Sequence, residues 1–166
     1  MAPSGGFGLK ILHEHAEAII DIVLLHGLTG DRERTWTSPS TGKCWPRDFL
    51  PSDLAGIRVL TFGYDAYITK LGRVAKNSLR AHSTVLLSTL ASHRQPPGLE
   101  KKPIIFIAHS LGGSLCKDAL LSESSPEPHL KAISADTRAM LFVASPHEGN
   151  RLAEWARIPA NLLDVV

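Results

Sequence analysis

Short apolar runs alternate with helix-period stretches along this chain. Leu9–Glu14 predicts a first strand, Asp21–Leu25 a second, Ile57–Phe62 a third, Ile104–Ala108 a fourth and Ala139–Ala144 a fifth. The runs Ile22-Val23-Leu24-Leu25 and Ile104–Ala108 are wholly apolar, which suits strands covered on both faces. From Gly72 to about His93, the residues Ala75, Leu79, His82, Leu86 and Leu90 fall on one stripe and predict a long helix. Gln95-Pro96-Pro97-Gly98 ends it. After Gly113, the spacing of Leu111, Leu115, Ala119 and Leu120 predicts a second helix to about Ser122. Asp48–Leu54, preceded by Pro46, predicts a short third one. Residues 29–43 read as a polar loop over one rim of the sheet, 122–128 as a Ser/Pro/Glu loop, and 1–7 as a loose leader. Strands alternating with helices predict an α/β fold with a doubly wound, mostly parallel sheet.

The chemistry is concentrated where two of these strands end. Ile104–Ala108 runs into His109-Ser110-Leu111-Gly112-Gly113. A strand that delivers a serine onto a tight turn, with small residues two positions to either side, is a nucleophile elbow; the pattern is Ala-x-Ser-x-Gly rather than Gly-x-Ser-x-Gly. Ser110 is the candidate nucleophile. The plainer alternative is a Gly-Gly turn at which Ser110 only caps a helix.

The second strand ends in His26-Gly27-Leu28-Thr29-Gly30. Acyl transfer builds negative charge on an oxygen, and backbone N–H groups aimed at that oxygen stabilise it; losing one costs about 3–4 kcal/mol. In the elbow pattern one donor is the residue after the nucleophile, here Leu111, and the other comes from a glycine-bearing loop after an earlier strand. The Gly27–Leu28 segment fits that loop, with the Leu28 amide as donor. The two motifs together, in this order, favour the catalytic reading over an ordinary pair of strand-to-loop turns.

These motifs, with Trp36, Cys44-Trp45-Pro46, Phe62-Gly63-Tyr64-Asp65 and Ser145-Pro146-His147-Glu148-Gly149, resemble the lipase-like α/β-hydrolases grouped with the serine-active-site-containing proteins. Fungal proteins carry a similar domain ahead of nucleotide-binding receptor and repeat domains. The resemblance runs from about residue 8 to 157 and implies an α/β-hydrolase fold with serine esterase or lipase chemistry. This chain has Ala144-Ser145-Pro146-His147 where the family usually shows Gly-Thr-Pro-His. At 166 residues the chain is short for such a fold, so residues 8–166 are expected to form the N-terminal part of a hydrolase domain incomplete at its C-terminus. On that expectation, the strands that usually carry the acid and the histidine fall outside it.

The remaining histidines sort by position. His26 belongs to the glycine loop and is expected to shape it. His109 is expected to point away from the serine. His82 lies on the long helix and His129 in a polar loop. His147 follows the last strand at the correct rim and is the candidate general base. The competing reading makes it a structural residue of its loop, which the Ser-acid-His chain order favours. Between Ser110 and His147, Asp118 sits on a helix, and Asp136 precedes its strand at the opposite rim. Asp65 stands at the correct rim, but three strand spacings of about 4.8 Å put it roughly 14 Å from His147.

Composition excludes little. Apolar content is 43%, mean hydropathy is +0.01 and the formal charge is +2 with scattered basic residues, which gives no basis for a nucleic-acid partner. No run of about 18 apolar residues exists, so no transmembrane segment is expected. The N-terminus lacks a signal-peptide pattern. Cys44 and Cys116 show no zinc spacing, and a disulfide between them has weak support; no metal and no cofactor are expected.

The expected substrate is an ester or lipid-like molecule, with peripheral membrane contact an option. Association through an exposed sheet edge after the last strand is also expected. Location is intracellular, cytoplasmic by default, while the resemblance also allows the mitochondrion or endoplasmic reticulum membrane. The functional expectation is a serine esterase acting through an acyl-serine, weak or inactive as this chain alone. The alternative is a non-catalytic binding or signalling module of a larger receptor-like protein.

Overall fold

The computed structural model describes residues 6–66, 72–95, 98–99, 101–121 and 128–145. Five strands form one sheet in the order β1-β3-β2-β4-β5: β1 is Gly8–His13, β2 Ile20–Leu25, β3 Ile57–Gly63, β4 Ile104–His109 and β5 Thr137–Val143. Only β1 runs antiparallel to its neighbour; the β3-β2, β2-β4 and β4-β5 pairs are parallel. The mostly parallel sheet is as expected. Parallel register brings the carboxyl ends of β2, β3, β4 and β5 to one rim, with Leu25 opposite both Phe62 and Ala108, and His109 opposite Val143.

Alternation along β2 sends its side chains to two cores. Val23 and Leu25 face a layer built by α3 (Gly72–His93), α4 (Leu111–Leu121) and α5 (Pro128–Asp136), where Leu86, Leu90, Leu115, Leu130 and Ile133 pack against Phe62 and Phe106. Ile22 and Leu24 face the other side, where Trp36, Cys44 and Ile107 gather with Leu50. Two short helices, α1 (Trp45–Asp48) and α2 (Leu50–Asp53), lie in the chain that crosses this side. Cys44 and Cys116 are therefore buried in different cores, and both are free thiols.

Several bounds differ from the sequence expectation. The strand expected to run to Ala144 stops at Val143, because Ala144 adopts φ +50°. The single helix expected over Asp48–Leu54 is split at Phe49. The stretch after the Ser/Pro/Glu loop is a helix, α5, so His129 belongs to a helix rather than to a polar loop. The leader's end is tied down: Arg32 Nη1 donates to Phe7 O at 2.9 Å. Residues 1–5, the Ser122–Glu127 part of the expected loop, and the tail from Pro146, including His147, lie outside the described residues. At the β5 edge Met140, Leu141 and Val143 are exposed, Leu141 by 55%. Among the described residues no helix is long and apolar enough to cross a membrane.

The amino rim of the sheet is held by a buried charge network. Asp21, the second residue of β2, stands in register with Arg58 of β3 and Ile104 of β4. Its carboxylate accepts from Arg58 Nε at 2.7 Å and Nη2 at 2.8 Å, and also from Arg94 Nη1. Arg94 Nη2 reaches on to Asp136 Oδ2 at 2.9 Å and Lys102 O at 2.6 Å. Two acids and two guanidiniums cancel, so the burial is tolerated only while all four are present. Asp136, as expected, lies at this rim, away from Ser110. Asp21→Asn strips the charge from the group holding both guanidiniums and is expected to cost about 3–5 kcal/mol of unfolding free energy. Urea denaturation measures it, and a loss under about 1 kcal/mol contradicts the assignment.

Candidate active site

At the carboxyl rim β4 ends at His109, and Ser110 takes φ +53°, a left-handed backbone in a residue with a side chain. Holding such a conformation costs on the order of 1–3 kcal/mol. Two main-chain bonds offset it: Ser110 N–H donates to Val143 O at 2.9 Å, and Gly113 N–H donates to Ser110 O at 3.0 Å. The bend turns straight into α4, so the chain reverses within one residue of the serine.

The glycine pair is explained by what surrounds it. A Cβ on Gly112 would stand 2.5 Å from Leu25 O and 2.6 Å from His26 O, both backbone atoms at the end of β2. Only a glycine lets the first turn of α4 press against that strand end. Gly113 packs against Ser145, whose hydroxyl donates to Ala108 O at 3.1 Å.

The same approach brings the loop after β2 onto the serine. A Cβ on Gly27 would meet Ser110 Cβ at 2.6 Å and Ser110 Oγ at 3.0 Å. The structure thus joins Ser110, Gly27 and the peptides flanking them, which the sequence had placed 83 positions apart. Leu28 is half-buried and packs on the main core, and Leu111 is buried there as the first residue of α4. An N–H at that helix position has no intrahelical acceptor, and the helix end favours nearby negative charge. Thr29, at φ +57°, and the Gly30 N–H bond to Gly27 O at 3.1 Å close the loop.

Ser110 is 3% exposed, and its Oγ has no hydrogen-bond partner among the described residues. His109 is the residue before the serine and the last of β4. Its Nδ1 also lies beside Gly27, 2.9 Å from the position of a Cβ there, and has no partner among the described residues. Burial pushes the pKa of His109 down. The candidate base His147 is outside the described residues. Asp65 acts electrostatically on His82 of α3, raising a pKa that burial lowers more strongly. Among the described residues no cluster of His, Cys, Asp or Glu is arranged to hold a metal ion.

His26, expected to shape its loop, is 1% exposed. Its Nδ1 lies 2.9 Å from Gly27 O, and its Nε2 lies 3.3 Å from the N–H of Tyr64, just past β3. Tyr64 stacks on the imidazole at 4.4 Å and donates its hydroxyl to His26 O at 2.7 Å. Sequence reasoning missed this tyrosine; the available clue was an aromatic residue directly after a strand ending at the reactive rim.

The topology and the elbow together define the α/β-hydrolase fold. A solved structure of esterase B from Lactobacillus rhamnosis, with a C4-C4 SN3 tributyrin phosphonate, matches with a TM-score of 0.51 at 16% identity, over 93% of this chain and 56% of that one. No protein-family model matches. In sequence the chain is similar to Protein SERAC1 of Mus musculus, 30% identical over 171 residues, covering 90% of this chain and 25% of that protein. Against Protein SERAC1 of Homo sapiens it is 29% identical over 154 residues, 82% of this chain and 23% of that protein. The chain therefore spans about a quarter of the length of these relatives.

The histidines give a pH test. Burial holds the pKa of His26, His82 and His109 below the ordinary 6.5. The unfolded chain therefore takes up protons first. Stability is full above about pH 6.5 and falls as pH drops toward the folded values, by up to about 1.4 kcal/mol per pH unit for the buried His26 and by less for His82 and His109, whose partial exposure to solvent screens the effect. Urea unfolding between pH 7.5 and 5 is expected to show this slope, and His26→Asn to reduce it. A stability that rises on acidification over that range contradicts it.

Proposed function

We propose that this domain carries the nucleophile half of a carboxylic ester hydrolase. Ser110 Oγ attacks the ester carbonyl carbon, its proton passes to a general base, and the carbonyl electrons collect on oxygen. The N–H groups of Leu28 and Leu111 receive that oxyanion, with Gly27 leaving room for it beside the serine. Collapse breaks the ester C–O bond, the alcohol leaves with a proton from the base, and water then releases the acid from acyl-Ser110. The observation that carries this reading is the approach of Gly27 to Ser110 Oγ across a left-handed bend. The match to an esterase structure supports the fold beneath it.

His147, which lies outside the described residues, is the candidate base within this chain. A serine hydrolase stripped of triad members keeps about 10³–10⁴-fold catalysis over water, supplied by the oxyanion hole and substrate binding alone. The Ser110 hydroxyl, without a partner among the described residues, also allows a second reading, a hydrolase-shaped binding module without turnover. A fluorophosphonate separates them. Serine-dependent labelling of the full chain, abolished in Ser110→Ala, is the expected result. Labelling that survives Ser110→Ala overturns the nucleophile assignment, and a folded full-length protein that never labels leaves the binding module.

A further inference from the structure

Two peptide planes decide where the amides beside Ser110 point, and Tyr64 reaches both. The first is the His26–Gly27 peptide. Its carbonyl oxygen accepts the Tyr64 hydroxyl at 2.7 Å. Every peptide in the described chain is trans, and a planar trans peptide directs its N–H opposite to its C=O. Fixing His26 O therefore aims the Gly27 N–H the other way.

The second is the Gly27–Leu28 peptide, and here Tyr64 acts through the imidazole. The backbone N–H of Tyr64 can only donate, so His26 Nε2 at 3.3 Å must accept. A neutral imidazole carries one donor and one acceptor, which leaves the proton on Nδ1. Nδ1–H then donates to Gly27 O at 2.9 Å, where Gly30 N–H also donates at 3.1 Å. With its carbonyl held from two sides, this peptide turns the Leu28 N–H away from both donors.

The arrangement is dry and closely packed. Tyr64 is buried, lies nearly parallel to the imidazole at 15°, and is backed by Phe62 at 6.2 Å and by His82 of α3 at 5.6 Å. Among the described residues, the titratable groups facing His26 are Asp31 on its own loop, His109 of β4 and the Tyr64 phenol beyond β3; His82 packs on the phenol and feels the charge of Asp65. A proton added at Nε2 would point one donor at another and break the contact with Tyr64.

We propose that Tyr64 is a positioning residue for the Ser110 site: its hydroxyl fixes the His26–Gly27 peptide, its main-chain N–H fixes the Gly27–Leu28 peptide through the His26 ring, and the amides beside Ser110 keep their working orientation only while both holds are made, so that the site closes down when the hydroxyl bond is lost or the ring takes a second proton. The proposal rests on the serine-hydrolase reading above.

The test uses the full chain with a fluorophosphonate and Tyr64→Phe, which keeps the ring and the main-chain N–H and removes only the hydroxyl bond to His26 O. A mis-aimed oxyanion donor slows the chemical step without weakening ground-state binding. The labelling rate at saturating probe is expected to fall about 10- to 100-fold, within the range for losing an oxyanion donor, while the half-saturating probe concentration changes less than about threefold. Long-range proton–nitrogen spectra of the histidine rings are expected to show His26 as the Nδ1–H tautomer at neutral pH. Serine-dependent labelling at the parent rate in a folded Tyr64→Phe overturns the proposal and leaves the hydrolase reading standing. His26 found as the Nε2–H tautomer overturns it too, and this second measurement decides the matter where Tyr64→Phe does not fold. Labelling that survives Ser110→Ala overturns both.

Discussion

The contact on which this structure turns is the one between the first turn of α4 and the end of β2. Gly112 rests against the carbonyls of Leu25 and His26, with no room for a methyl group. That contact puts a helix start, a left-handed serine and the loop 26–30 within a few ångströms of one another. Replace the glycine and either the helix backs off or the strand end moves. In both cases Ser110 and Gly27 part. The strain at Ser110 is tolerated because its neighbours leave it no alternative: β5 holds its N–H and α4 holds its carbonyl.

The two rims of the sheet do different work with the same topology. At the amino rim, three buried charges and the half-buried Asp136 satisfy one another and tie β2, β3, the end of α3 and the α5–β5 junction together. Such a network contributes rigidity more than net stability. At the carboxyl rim, polar groups are left open: the Ser110 hydroxyl and His109 Nδ1 have no partner among the described residues. Open parallel sheets gather ligands at this end. A rigid amino rim lets the other rim hold unsatisfied groups without unfolding around them.

Much of this was legible in the residues. The run 104–108 ending at a serine, followed by two glycines, announces strand, bend and helix in order, and the α3 stripe matches the observed helix from Gly72 to His93. The features that were not legible depend on long-range contacts. α5 buries Leu130 and Ile133 within nine residues, too short a repeat to stand out, and tertiary packing makes it a helix. The strand-like run to Ala144 hid a left-handed residue because nothing about an alanine advertises positive φ. Asp21, Arg58 and Arg94 look like ordinary charges until the register of three strands and a helix end brings them together.

The relatives are about four times longer than the stretch matched here. The most direct measurement is a crystal structure of the full chain after reaction with a phosphonate ester. The account predicts phosphorus bonded to Ser110 Oγ, with the phosphonyl oxygen about 2.7–3.1 Å from the N–H groups of both Leu28 and Leu111. A phosphonyl oxygen turned away from the 26–30 loop, or an adduct on any other side chain, would contradict it.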